Sequence, residues 1–223
     1  MGTIVLAAFL AAAPAALQTA RDQQDRAALQ KFVDESFAAA AQAPKDAEAQ
    51  YRAALASSYQ AEVALELRDK KLAEQAAVRG VKAAEQAIAL KPNTAEYYRV
   101  MGTLCGQVVP ANVIMGLSYG KRAKDAIDKA VTLDPKSPAA YMARGVGNYY
   151  LPEALGGGLN QAVTDFRKSI ELDSKDADAW LWLGIALRKQ NKNSEARQAF
   201  AKSVELNARR VWAKEQLDKT PAQ

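Results

Sequence analysis

Three features of the chain carry residue types that could do chemistry: a triple glycine, a glycine-lysine step and a single cysteine. Gly156-Gly157-Gly158 stands just before a helical pattern, where free backbone amides at a helix amino terminus can cradle an anion. No Lys-Ser/Thr pair follows it, and glycines in an insertion between two helices need only supply permissive backbone angles, so a turn is the expectation. Gly116 and Gly120-Lys121 approximate a phosphate loop, but the spacing is one residue short and Arg122 stands where the hydroxyl belongs. Cys105 lacks a partner for an internal disulfide or a paired-thiolate metal site and reads as a small buried hydrophobe. The sequence contains no histidine, which removes the commonest general base and the commonest metal ligand together. The expectation is therefore a noncatalytic protein with no cofactor and no metal.

The elements that must position any site are helices. Hydrophobic residues make up 49% of the chain but aromatics only 7%, and alanine supplies much of the remainder, a balance that favours helices packed through small side chains. The formal charge of +5 comes from Lys and Arg interleaved with Asp and Glu along the whole length, which reads as a solvated mixed surface and not as a nucleic-acid stripe. The amino terminus carries an apolar run from Ile4 to about Leu17 ending in Ala13-Pro14-Ala15. It is too short to span a bilayer and reads as a secretory leader over 1–20, cut after Ala15, although no Lys or Arg precedes it. The expected location is periplasmic or secreted, and cytoplasmic if the leader is not one. No membrane span is expected after its removal.

One helix ending recurs four times: Ala87-Ile88-Ala89-Leu90-Lys91-Pro92, Ala130-Val131-Thr132-Leu133-Asp134-Pro135, Ser169-Ile170-Glu171-Leu172-Asp173-Ser174 and Ser203-Val204-Glu205-Leu206-Asn207-Ala208. In each, a small residue sits where two helices touch, two aliphatics fill the core, and a proline or its substitute stops the helix. Upstream of the last ending, Trp180, Leu183, Gly184 and Leu187 share a face, and Ala196, Phe200 and Ser203 make the matching face of the following helix. This segment, 177–208, resembles a tetratricopeptide repeat at nearly every signature position. Earlier units repeat the pattern with Tyr141, Gly145, Ala162 and Phe166, with Tyr98, Gly102, Ala123 and Ile127, and with Tyr51, Tyr59, Gly80 and Ala84. Those three carry insertions, so longer helices and turns are expected there.

The resemblance implies an all-α helical-hairpin solenoid with four degenerate repeats over 46–208. Leu29, Phe32, Val33, Phe37 and Ala40 predict a capping helix within 21–45, and Val211, Trp212, Glu215 and Leu217 a closing helix within 209–223. The insertion-bearing units, the run Gly120 to Ala130 and the triple-glycine turn also resemble the T component of bacterial tripartite periplasmic transporters and, more distantly, the helical domain of regulators of microtubule dynamics. The first of these implies a periplasmic accessory protein, sometimes oligomeric, that meets a solute-binding protein.

In tetratricopeptide repeats the first helix of each pair lines the concave face. The residues expected there are Glu96, Arg99, Thr103 and Gln107, then Met142, Val146 and Tyr149, then Asp178, Leu181, Ile185, Arg188 and Lys189. The apolar insertion from Val108 to Leu117, with Val109 and Ile114, either folds beneath the solenoid or stands out as a lip. An apolar floor with a basic rim suits an extended peptide, a helix or an amphipathic ligand. The expectation is a protein or peptide partner, and the alternative is a transport accessory that takes a hydrophobic small molecule.

Overall fold

The computed structural model describes residues 15–221; the part of the expected leader in 1–14 lies outside them. Eleven α-helices follow one another among the described residues, with no strand. They are α1 (15–22), α2 (Arg26–Gln42), α3 (Ala47–Glu66), α4 (Lys70–Leu90), α5 (Ala95–Ala111), α6 (Gly116–Leu133), α7 (Pro138–Tyr150), α8 (Leu159–Leu172), α9 (Ala177–Lys189), α10 (Asn193–Leu206) and α11 (Val211–Asp218). Residues 15–20, the described end of the expected leader, form most of α1, and Leu17 and Ala20 pack there against Leu29, Val33 and Val63.

Starts are fixed by side-chain caps. Asp25, Asp46, Asp69, Ser137 and Asp176 each accept a hydrogen bond from an amide of the helix they begin, offsetting donors that a helix start leaves unpaired. Ends are fixed by the recurring motif. The amides of Lys91, Asp134, Asp173 and Asn207 donate to the carbonyls of Ala87, Ala130, Ser169 and Ser203, so the four endings share one register. All four of these small residues are fully enclosed. The two serines do more than save space: Ser169 Oγ donates to Pro138 O at 2.9 Å and Ser203 Oγ to Ala177 O at 2.8 Å, tying the end of each outer helix to the start of its inner partner.

The pairs α3/α4, α5/α6, α7/α8 and α9/α10 are antiparallel hairpins stacked in sequence, and the inner helices α3, α5, α7 and α9 lie side by side. Close contact within a hairpin depends on glycine in the inner helix. A Cβ on Gly102 would stand 2.6 Å from Ile127, on Gly145 2.6 Å from Phe166, and on Gly184 2.6 Å from Phe200. In the first hairpin the roles are exchanged: the glycine is Gly80 on outer helix α4, and it faces Ser57 and Leu104. The insertions lengthen α3 to α6, whose spans run from 17 to 21 residues, against 13 or 14 in the last two hairpins. In the third hairpin the extra residues form a short 3-10 turn, Glu153–Leu155, followed by Gly156 and Gly158 at positive φ. The three glycine amides donate to Glu153 O, Pro152 O and Asn148 O, so the turn consumes the donors that an anion would need.

Candidate functional site

The inner helices curl far enough to bring the two ends of the stack together. Arg21 on α1 reaches Asp178 at the start of α9 (2.6 Å), lies 3.6 Å from Glu62 on α3, and pairs with its neighbour Asp22. Asp22 accepts from Asn207 Nδ2 at 2.7 Å. Arg210, which precedes α11, is wholly enclosed and forks onto Glu62 (2.7 Å) and Glu66, with Asp178 at 3.4 Å. Partners in this cluster are up to 185 residues apart in sequence, so it closes the first hairpin against the last.

Two guanidiniums here face four carboxyl groups, so the acidic groups outnumber the cations by two. Burial pushes the Glu62 carboxyl up to about 7 despite Arg21 and Arg210 beside it. Burial alone would raise Asp178 too, but there Arg21 and Arg210 outweigh it and hold the carboxyl below its ordinary value. Burial works against the charge of Arg210, and Glu62 and Glu66 more than restore it, so that guanidinium stays protonated. Tyr59 lies under Arg21, whose guanidinium carbon is 5.1 Å from its ring centre.

This closure decides which expected site residues are available. Leu181 is 0% exposed and Ile185 7%, so neither lines an open groove. They belong to one apolar cluster with Phe166, Leu183 and Ala213, against which Met142, Val146 and Tyr149 of α7 and Trp212 and Leu217 of α11 pack. The last helix contributes to this closure: α11 packs on α10 and adds Ala213, Trp212 and Leu217 to the same cluster. It also takes Arg188, which donates to Gln216 O, Gln216 Oε1 and Thr220 Oγ1.

Arg99 is half-buried and paired with Glu96, which accepts from Tyr51 Oη at 2.9 Å. Thr103, Met142, Val146 and Tyr149 are half-buried, and Lys189 is exposed with its ammonium 4.5 Å from the Tyr149 ring centre. What remains open on the concave side is thus a strip across α5 and α7. The insertion divides: Val108 is enclosed, Val109 is half-buried, and Ile114 and Leu117 stand 95% and 90% exposed. Cys105 is enclosed, and burial pushes its thiol up to about 11. Among the described residues no group of three or more Cys, Asp or Glu side chains is placed to hold a metal ion.

The charged cluster is not foreseen from sequence. One signal is available: the inner helices begin at Asp46, Thr94, Ser137 and Asp176, but α11 begins after Arg210. Arginine is a poor cap, so its presence there marks a residue held by something else.

A family model described as Regulator of microtubule dynamics protein 1-3 matches residues 13–154, and a Tetratricopeptide repeat model matches residues 166–198. No curated protein matches the chain. Among solved structures the chain is similar to TTC0263, a thermophilic TPR protein of Thermus thermophilus, with 20% identity, 86% of this chain and 89% of that one covered, and a TM-score of 0.60. It is also similar to the HusA haemophore of Porphyromonas gingivalis, with 18% identity, 72% and 84% covered, and a TM-score of 0.57. At these identities the likeness concerns the fold.

Proposed function

We propose that this chain, which belongs to the regulator of microtubule dynamics protein 1-3 family, is a noncatalytic interaction module that grips a short segment of a protein partner on its concave side. The observation that carries this reading is the half-buried strip of Thr103, Met142, Val146 and Tyr149, bordered by the Lys189 ammonium and left open by α5 and α7, while α11 and the charged cluster cover α9. Two neighbouring inner helices span about 20 Å, enough for about six residues of extended chain or a short helix. Half-buried apolar side chains beside a lysine suit an amphipathic segment with an acidic residue.

A protein partner is favoured over a hydrophobic small ligand because the clefts lie elsewhere. One of about 420 Å³ opens between α2, α3 and α4, on the outer side of the first hairpin, lined by Arg26, Gln30 and Gln60 together with Leu29, Val63 and Leu72. The apolar run from Ile4 and the Ala13-Pro14-Ala15 step support export to the periplasm, and the triple-glycine turn in the third unit supports the T-component reading, with a solute-binding protein as partner. Val146→Arg, which fills the strip, should abolish capture of that partner from an envelope extract, with circular dichroism and melting of the variant run beside it to show that it stays folded. Capture at the wild-type level by a folded Val146→Arg protein would sink the concave-face model.

A further inference from the structure

The solenoid has two edges, and they differ in chemistry. One is formed by the turns joining each inner helix to its outer partner, the other by the turns leading on to the next hairpin. Of the six large apolar side chains exposed among the described residues, five lie on the first edge: Leu67, Ile114, Leu117, Tyr150 and Leu155. Only Leu90 lies on the second. Ile114 and Leu117 are almost fully in solvent, and Leu155 and Tyr150 are 64% and 60% exposed. Side chains so exposed contribute little to the fold, and their concentration on one edge calls for a partner.

Free cations accompany the apolar tips. Arg68, Lys70, Lys71, Lys189 and Lys192 flank the apolar tips; all are exposed, and none has an ion-pair partner among the described residues. The carboxylates of this edge are engaged: Asp69 caps α4 and pairs with Arg26, Glu74 accepts from Asn112, and Glu195 faces Arg167. Glu153 is the exception. The opposite edge carries exposed Lys45, Lys91, Lys136, Lys175 and Arg209 beside the capping carboxylates Asp46, Asp134, Asp173 and Asp176, so the apolar tips, not the cations, set the first edge apart. Neighbouring turns of the first edge are tied to one another, by Asn112 to Glu74 between the first and second hairpins and by Gln190 to Asn160 between the third and fourth.

We propose that this edge docks on an anionic lipid surface, with Ile114, Leu117, Tyr150 and Leu155 entering the headgroup region and the unpaired cations meeting the phosphates. The tips sit on separate turns about 10 Å apart, a spacing that a fluid interface accepts and a rigid protein face does not without matching pockets. Tyrosine, with an apolar ring and a polar tip, suits the headgroup level. A second copy pairing edge to edge would bring five cations against five, which repel. No described helix is long and apolar enough to cross a membrane, so the chain would lie on the surface.

The test is co-sedimentation of the full chain with phosphatidylcholine vesicles, with and without phosphatidylglycerol, at low and high salt. The wild type should bind the anionic vesicles about tenfold or more better than the neutral ones, and high salt should release it. Ile114→Ser with Leu117→Ser, and separately Lys70→Gln with Lys71→Gln, should each weaken that binding about tenfold. Because all four side chains are exposed, circular dichroism and melting should be unchanged. Equal partition of wild type and variants, or no preference for the anionic vesicles, overturns the proposal. So does a wild-type dimer in sedimentation equilibrium that the Ile114/Leu117 variant dissociates, which assigns the edge to a second copy.

Discussion

Replacing Arg210 with methionine keeps much of the side-chain volume and removes the charge, so it isolates what the guanidinium does. Glu62 and Glu66 lose their shared partner and Asp178 loses its second one, while Arg21 alone remains against four carboxylates. Breaking a buried pair by removing one partner costs about 3–5 kcal/mol, a third or more of a typical stability on the order of 10 kcal/mol. The loss should depend on pH, with a definite sign. Burial already holds the folded-state Glu62 carboxyl at about 7, above its ordinary 4.5. The folded protein therefore binds more protons than the unfolded one between those values, and stability rises as pH falls through that window. The Glu62 side chain keeps 24% of its surface exposed, so the contribution in the wild type is on the order of 2 kcal/mol. Asp176, pushed up to about 6 by burial and the charge of Asp178, adds in the same direction. Without Arg210 the stranded carboxylates take up protons more readily still, so the penalty at pH 6 should be about 1–3 kcal/mol smaller than at pH 8. Urea melting followed by circular dichroism at both values measures it. A loss below about 1 kcal/mol at pH 8, or one that grows on acidification, would refute the view that Arg210 neutralises a buried carboxylate cluster.

Leu181→Asp, at a position with no exposed surface, should destabilise the fold by several kcal/mol and abolish binding only through unfolding; an unchanged melting temperature would return this residue to an open groove. Gly184→Leu should cost a few kcal/mol, since even a Cβ there would stand 2.6 Å from the Phe200 ring, and Phe200→Leu in the same chain should recover part of the loss. Cys105, enclosed and with its thiol pushed up to about 11, should resist a thiol reagent in native buffer at neutral pH and react at once in denaturant; rapid native labelling would mean that α5 opens easily.

The features legible in the sequence are those repeated in it. Four copies of one helix ending give one register because each ending must solve the same problem, an outer helix stopping against its inner partner. Gly102, Gly145 and Gly184 can be placed because each faces a bulky residue at the same spacing, and the direct contacts confirm the pairing. What escapes sequence reading depends on curvature. Helical register predicts which side of α9 carries Leu181 and Ile185, but whether that side is open depends on how far successive hairpins rotate and on where α11 settles. Small differences in helix length accumulate over four hairpins, so the meeting of α1 with α9 is not written in any single repeat. The hydroxyl bonds of Ser169 and Ser203 escape for a simpler reason: Ala87 and Ala130 occupy the same place in the first two units, and the property shared by all four is small size.

Buried charge is an expensive way to join two ends of a solenoid, because apolar side chains of similar volume would often hold them as well or better. What the charged cluster adds is geometry. Each guanidinium of Arg21 and Arg210 must satisfy carboxylates on two inner helices at once, and planar forks accept few arrangements, whereas an apolar contact tolerates sliding. In an open repeat array each hairpin meets only its neighbours and the curvature can vary; here α1, α3 and α9 are fixed relative to one another by the same few atoms. Restraining these helices limits how far the curvature of the stack can vary.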